Sequence, residues 1–364
     1  MYHLGELFSG PGGIACGAIT ASVPGYDNLK ITHAWANDFD PSTCETYRHN
    51  ICQNDEDTSV YCGDVRTLDI SKDNPLFKNH PFNAFAFGFP CNDYSIVGEQ
   101  FGIHGTYGPL YSYGVKILEL FQPDWFVAEN VSGLSSANNG GTFPKVLKNM
   151  RQAGYKLYPH LYKFEEYGVP QSRHRIIIVG IRDDIDKVFY PPVPTTPDPM
   201  QYKTCKQALE EKTIPDLNNE MPRMTKRVVE RLKLIGEGEN AFTAPALKSR
   251  PDLQLKVKGA KISQIYRRLD STRPSYTVTG SGGGGTHIYH YKENRALTNR
   301  ERARLQTFPD DYEFKGTKES VRRQIGMAVP VEGARHIFEA ILKTMGGIEY
   351  EHLDRCNIDF DNRK

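Results

Sequence analysis

The chain lacks several features that would each announce a class of function. No apolar run approaches the ~18 residues of a membrane-spanning helix. The amino terminus enters a strand-like segment at once, without the basic-then-apolar design of a secretion signal. The seven cysteines form no Cys-x-x-Cys pair and no zinc spacing with histidine, which points to free thiols, a reducing cytoplasm and no structural metal. No Gly-Lys-Ser/Thr loop is present, so the phosphate cradle of nucleotide hydrolases is excluded. Net charge is scarce as well: 45 Lys and Arg meet 44 Asp and Glu. That balance neither requires nor forbids a nucleic-acid partner, but its distribution says more. Residues 201–273 hold 16 Lys and Arg against 9 Asp and Glu. A basic segment suits a phosphate-facing surface, although a solvated lysine-rich face has the same composition.

What is present reads as an α/β protein. Of 364 residues, 38% are hydrophobic, enough for a real core and for two domains or one with a large insertion. Residues 4–8 read as a strand that runs into Ser9-Gly10-Pro11-Gly12-Gly13 and then a helix carrying Ile14, Ala15, Ala18 and Ile19. Strand, glycine turn and helix make the opening unit of a nucleotide-binding sheet. The glycines admit a ligand close to the backbone, and the helix start offers free N–H groups. A second strand, near 31–36, ends at Asp38 and Phe39: an acid suited to ribose hydroxyls beside a ring able to lie on adenine. A third, near 60–62, is followed by Asp64 and Val65. Glycines, an acid and another acid at successive strand ends suit an adenosine without phosphates, as in S-adenosyl-L-methionine. Either acid would equally serve as a helix cap.

The next two runs carry the chemistry. Phe85-Ala86-Phe87-Gly88-Phe89-Pro90-Cys91 and Trp125-Phe126-Val127-Ala128-Glu129-Asn130-Val131 share one design, a short apolar run followed by polar groups. Such runs read as buried strands of a parallel sheet, so a thiol and a carboxylate stand just past two strand ends, where open α/β sheets place their sites. A thiolate is a soft nucleophile, and a neighbouring Glu can hold or deliver a proton. Taken alone, a Pro-Cys is common and free cysteines are usually inert core residues. Residues 93–113 form a long Gly-, Tyr- and His-rich loop, followed by a helix over 115–121. A strand-like piece spans 154–166, and the apolar run 176–180 places Arg173 and Arg175 at the amino end of a buried strand. From 182 to about 268 the chain turns proline-rich, then basic and weakly periodic, apart from a helix near 225–235, and reads as a separate small domain. Thr298 and Glu301 form a capping box, a last helix covers 330–344, and the tail after Gly346 is polar and expected to fray.

Together these motifs resemble DNA cytosine-5 methyltransferases of the bacterial restriction-modification type, in the family's order from Leu7 to about Leu342. The resemblance implies a mostly parallel, doubly wound, Rossmann-like sheet that binds S-adenosyl-L-methionine, with a smaller target-recognition domain. It assigns the cofactor to Phe8, Ser9, Gly10, Gly12, Gly13, Asp38, Phe39, Asp64, Val65, Pro90 and Leu110. It assigns catalysis to Cys91 and Glu129, with Arg173 and Arg175 from a Gln-x-Arg-x-Arg motif whose last arginine supports the flipped base. Ser95, Gln171, Arg273 and Thr277 fall at positions that contact DNA or organise its recognition, and Arg267 and Arg268 are the expected guanine readers. Gly326 and Val329 match the closing motif. Asn92 stands where the family usually has Gln, and Met327 where it usually has Asn; neither removes a reacting group.

The resemblance implies methyl transfer to carbon 5 of a flipped-out cytosine in duplex DNA through a covalent Cys91 adduct, S-adenosyl-L-homocysteine as product, and no metal. The expected arrangement is a catalytic domain over 1–182, a recognition domain over 183–297, a hinge helix over 298–326, a completing helix over 327–345 and a polar tail. The expected setting is a monomer in a bacterial cytoplasm, at the nucleoid, with a separate cognate restriction endonuclease as a possible partner and no membrane. Three other readings stand beside it. A tRNA-methylating relative would have a shorter recognition segment, and a non-catalytic regulatory relative would have lost Cys or Glu. A small-molecule methyltransferase leaves the basic insertion unexplained.

Overall fold

The structure, a computed structural model, describes residues 1–55, 57–89, 110–131, 142–255, 263–283 and 285–362. Pro90, Cys91, Ser95 and most of the long loop expected over 93–113 lie outside the described residues. The chain forms two compact units, one of residues 1–164, 174–195 and 331–364, the other of 165–173 and 196–330.

In chain order the first half gives β1 (Tyr2–Leu7), α1 (Gly13–Thr20), β2 (Ile31–Asp38), α2 (Pro41–Tyr47), β3 (Val60–Cys62) and α3 (Pro75–Asn79). Then come β4 (Ala84–Phe87), α4 (Tyr111–Phe121), β5 (Trp125–Val131), α5 (Thr142–Gln152) and β6 (Tyr155–Lys163). Residues Gln171–Ser172 form the short β7, and His174–Arg182 form β8. The later elements are α6 (Cys205–Glu210), α7 (Lys226–Leu232), α8 (Pro245–Lys248), β9 (Ser275–Tyr276), α9 (Asn299–Leu305), α10 (Lys318–Met327) and α11 (Val331–Gly346).

The first unit is built on a seven-stranded sheet in the order β3-β2-β1-β4-β5-β8-β6. Strands β1 to β5 pair in parallel, and β8 runs antiparallel to both β5 and β6. The reason lies in composition. All four residues of β4 are fully buried, and a strand covered on both faces has no polar side to show water. Phe85, Phe87 and Phe126 pack with Trp35 and Phe77 in the main core. Helix α11 returns to this unit late in the chain: it packs on α1, and its Phe338 meets Trp125 with ring centroids 5.9 Å apart.

Through Asn362 the tail does not fray. The side-chain amide of Asn357 donates to the carbonyl of Leu161 and accepts from its N–H, and Asn362 does the same at Leu157. β6 is an edge strand with unpaired backbone groups, and two asparagines in the tail supply its missing rungs. Ile358 and Phe360 then pack against the main core.

The second unit has little regular structure: five α-helices, the longest of 10 residues, and the two-residue pair β7·β9, among the described residues. Its core gathers Leu232, Ile235, Leu247, Leu253, Ile265, Tyr266 and Tyr289. Irregular backbone leaves carbonyls without ladder partners, and buried arginine forks supply them. Arg231 donates to the carbonyl of Leu253, Arg300 to those of Leu217, Pro309 and Tyr312, and Arg304 to those of Lys212 and Thr213. The segment expected as one hinge helix holds two, α9 and α10. α9 begins with the expected reciprocal capping box between Thr298 and Glu301.

Candidate active site

The carboxyl ends of β1, β2 and β3 bring the expected cofactor residues of those strands together. Phe8 ends β1 in a left-handed conformation, φ 56°, and the chain turns through Ser9 to Gly12, whose φ of 91° caps α1. A side chain at that φ would be strained, so glycine is required there. Asp38 closes β2 and its carboxylate accepts from the N–H of Gly10 at 3.0 Å and of Asp40 at 3.1 Å. Burial raises the Asp38 carboxyl above its ordinary range, and the backbone N–H groups pull the other way. Beside it Phe39 is 74% exposed, an apolar ring presented to solvent at a strand end. Asp64 caps the turn Val65–Thr67 through the N–H of Arg66 and pairs with the Arg66 guanidinium, an arrangement that holds its carboxyl below the ordinary range. Val65 and Leu110 are buried in the main core, and Gly13 is buried in α1.

Glu129 is the third residue from the carboxyl end of β5, and β8 explains its partner. Because β8 is antiparallel, its amino end meets the carboxyl end of β5: Glu129 faces Ile177, and Val131 faces Arg175. Glu129 and Arg175 are therefore diagonal neighbours on one face, within reach for long side chains. Arg175 Nε stands 2.7 Å from Glu129 Oε1, with the two side chains 13% and 15% exposed. Arg175 also donates to the carbonyl of His174. On the neighbouring strand end, a Cβ at Gly88 would stand 3.3 Å from Glu129 Oε2, so glycine leaves the carboxylate room. Asn130, 2% exposed, donates to the carbonyl of Phe89 at 3.2 Å, which ties β5 to the segment that leads into Cys91. Gly88 and Asn130 both stand inside the two motifs, but neither glycine nor a neutral amide reacts, so the pattern of residues gives no sign of their part in the site.

The remaining expected residues belong to the second unit. Arg173 is 2% exposed and its guanidinium donates to the carbonyls of Val278 and Gly326. Gln171 is fully buried; it donates to Leu305 and Gln306 and accepts from the N–H of Val278. Both are internal ties of their unit rather than groups presented to a ligand. Arg268 corrects the expectation more sharply. It is 6% exposed and donates to the carbonyls of Leu232, Ile235, His290 and Glu293 and to the Asn294 side chain. A guanidinium so occupied cannot read a base. Arg267 is half-buried, its guanidinium 4.6 Å over the Tyr276 ring. Arg273 is exposed and reaches Asp270 at 3.6 Å. Thr277 donates to the carbonyl of Ser172.

Comparison with known proteins fits this geometry. The profile of C-5 cytosine-specific DNA methylase matches residues 2–343. Type II methyltransferase M.BbvI of Brevibacillus brevis is 57% identical, covering 97% of this chain and 94% of its own. Type II methyltransferase M.NgoFVII of Neisseria gonorrhoeae is 39% identical, covering 96% and 88%. Among solved structures, the Dnmt2 methyltransferase of Schizosaccharomyces pombe shares the fold with a TM-score of 0.61 at 17% identity, over 94% of this chain and 98% of that one.

Proposed function

Since this chain belongs to the C-5 cytosine-specific DNA methylase family, we propose that it methylates carbon 5 of a cytosine flipped out of duplex DNA, through a transient bond to Cys91. The observation that carries the reading is the Glu129–Arg175 pair at the carboxyl end of β5. A fixed carboxylate stands on β5, the strand next to the one that leads into Cys91, and a guanidinium from β8 lies against it.

Carbon 5 of cytosine is too weak a nucleophile to take a methyl group unaided. The Cys91 thiolate adds to carbon 6 and makes the ring enamine-like, with negative charge on carbon 5. Glu129, carrying a proton, donates it to ring nitrogen 3 and accepts from the exocyclic amine, so the developing negative charge meets a donor already in place. Arg175 holds Glu129 in position and donates to the base's carbonyl oxygen. S-adenosyl-L-methionine, the donor that the family implies, supplies an electrophilic methyl on a sulfonium. The glycine turn, Asp38, Phe39 and Asp64 bind its adenosine. A water-relayed base removes the carbon-5 proton, and the electrons of that bond expel the Cys91 thiolate. A stacked base cannot be reached in this way, so the target must leave the helix.

The second unit, with exposed Arg273 and half-buried Arg267, reads the target, and its phosphate contacts make affinity fall with salt. A separately acting cognate endonuclease completes a restriction-modification pair. No helix among the described residues is long and apolar enough to cross a membrane.

The test uses duplex DNA containing 5-fluorocytosine, whose fluorine blocks the final elimination. Wild type with S-adenosyl-L-methionine should form a complex that survives denaturing electrophoresis, and Cys91→Ser should form none while still binding DNA. Retention of most methyl transfer by Cys91→Ser would falsify the mechanism. Transfer to tRNA in preference to duplex DNA would overturn the substrate.

A further inference from the structure

Three separate turns must hold register for the cofactor residues to face one ligand: residues 8–13 after β1, 38–40 after β2 and 63–65 after β3. The sheet itself does not extend that far. The β2·β3 ladder stops at Asp38 and Cys62, and the β1·β2 ladder at Leu7 and Asn37. The buried residue just before Asp38 also bridges all three. Asn37 is 1% exposed. Its carbonyl accepts from the N–H of Ser9 at 3.0 Å. Its side-chain amide donates to the carbonyl of Tyr61 at 3.0 Å and of Gly63 at 2.8 Å.

We propose that Asn37 is a positioning residue for the cofactor site, a buried staple that fixes the glycine turn and the Asp64 turn against Asp38. The assignment rests on the cofactor reading above. The geometry gives each bond a task. The Ser9 bond holds the chain just where Phe8 adopts its left-handed conformation, φ 56°, a state that persists only when the surroundings enforce it. It also sets up the next peptide, whose Gly10 N–H fixes the Asp38 carboxylate. The two amide bonds take up carbonyls on either side of Cys62 and so set the angle at which Gly63 and Asp64 leave β3. A second backbone bond, Gly63 N–H to the Asp38 carbonyl at 2.9 Å, completes the link. Leucine or valine would fill the same core volume and keep the backbone bond to Ser9, but would leave the carbonyls of Tyr61 and Gly63 without the amide and the Asp64 turn free to splay.

The experiment measures S-adenosyl-L-homocysteine binding by calorimetry, and methyl transfer, on the full chain carrying Asn37→Ala, Asn37→Ser or Asn357→Ala. Serine is the milder change should alanine not fold. Asn357→Ala is the control, since it also deletes side-chain hydrogen bonds to the same sheet, three of them, but at the opposite edge. The Asn37 variants should bind S-adenosyl-L-homocysteine about tenfold more weakly or worse. They should raise the KM for S-adenosyl-L-methionine while kcat stays within about threefold, and the control should bind as wild type does. Binding within about twofold of wild type by both Asn37 variants overturns the proposal, as does an equal loss in the control. Failure of wild type itself to bind sinks the cofactor reading along with it, an outcome distinct from unaltered variants of a binding wild type.

Discussion

Removing the Arg175 guanidinium is the sharpest perturbation of the site. At 2.7 Å two unit charges attract by about 6 kcal/mol at an effective dielectric of 20. Desolvation consumes part of that, and water reaches the small exposed fraction of both groups. The cost of leaving Glu129 without its partner is therefore about 2–4 kcal/mol. If all of it falls on the transition state, Arg175→Ala slows single-turnover methyl transfer about 30- to 1,000-fold. Arg175→Lys keeps the charge but loses the fork that also grips the His174 carbonyl, and should retain an intermediate rate. The assay is transfer of a tritiated methyl group to a duplex oligonucleotide with enzyme in excess, in wild type, both single variants and the pair Glu129→Gln with Arg175→Ala. Because Arg175 acts largely through Glu129, its loss should cost much less in the Glu129→Gln background. A rate for Arg175→Ala within about threefold of wild type, or strictly additive losses in the double variant, refutes the reasoning.

The other expectations concern packing and protonation. Arg268→Ala leaves several buried carbonyls unpaired and should destabilise the chain by about 3 kcal/mol or more in chemical denaturation, with no change in which cytosines bisulfite sequencing finds methylated; a changed target at native stability would restore it as a base reader. Gly88→Ala pushes a methyl against the Glu129 carboxylate and should lower kcat about tenfold with little change in Tm; unchanged kcat would show that the carboxylate is not confined. Burial pushes the Glu6 carboxyl from 4.5 up to about 8, against the opposing hydrogen bond from Tyr47. Between those values the folded chain keeps a proton that the unfolded chain has lost, so this stabilisation is lost as pH rises, at up to about 1.4 kcal/mol per pH unit. Glu6→Gln should therefore raise Tm relative to wild type at pH 8 and lose that advantage near pH 5; a gap constant with pH would count against it. His33 has the opposite sign, since burial pushes its imidazole down to about 4: its contribution is complete above its ordinary value and is lost as pH falls through about 4.

Some of this was legible in the chain because it is written in local pattern. Fully apolar runs at 84–87 and 125–128 can only be covered strands, and Thr298 with Glu301 spells a helix start from two side chains three residues apart. A glycine turn followed by acids at two later strand ends marks the binding edge of such a sheet, since side chains beyond the last ladder bond are the ones free to face a ligand.

Direction and burial were not written there. Arg267 and Arg268 are adjacent and chemically identical, yet one lies over Tyr276 and the other is consumed by five acceptors. Which of the two turns inward depends on carbonyls contributed by 232–235 and 290–294, remote in sequence. The same holds for the tail, polar by composition but ordered because β6 has an open edge. By itself, then, the sequence determined the apolar strands of the sheet and the family of the chain, and it nominated the reacting groups proposed above, all from short-range pattern and residue chemistry. Only the tertiary structure decided that β8 runs backwards and so delivers Arg175 to Glu129, and which arginines are struts, because those outcomes depend on which distant backbone groups remain unpaired once the chain has folded.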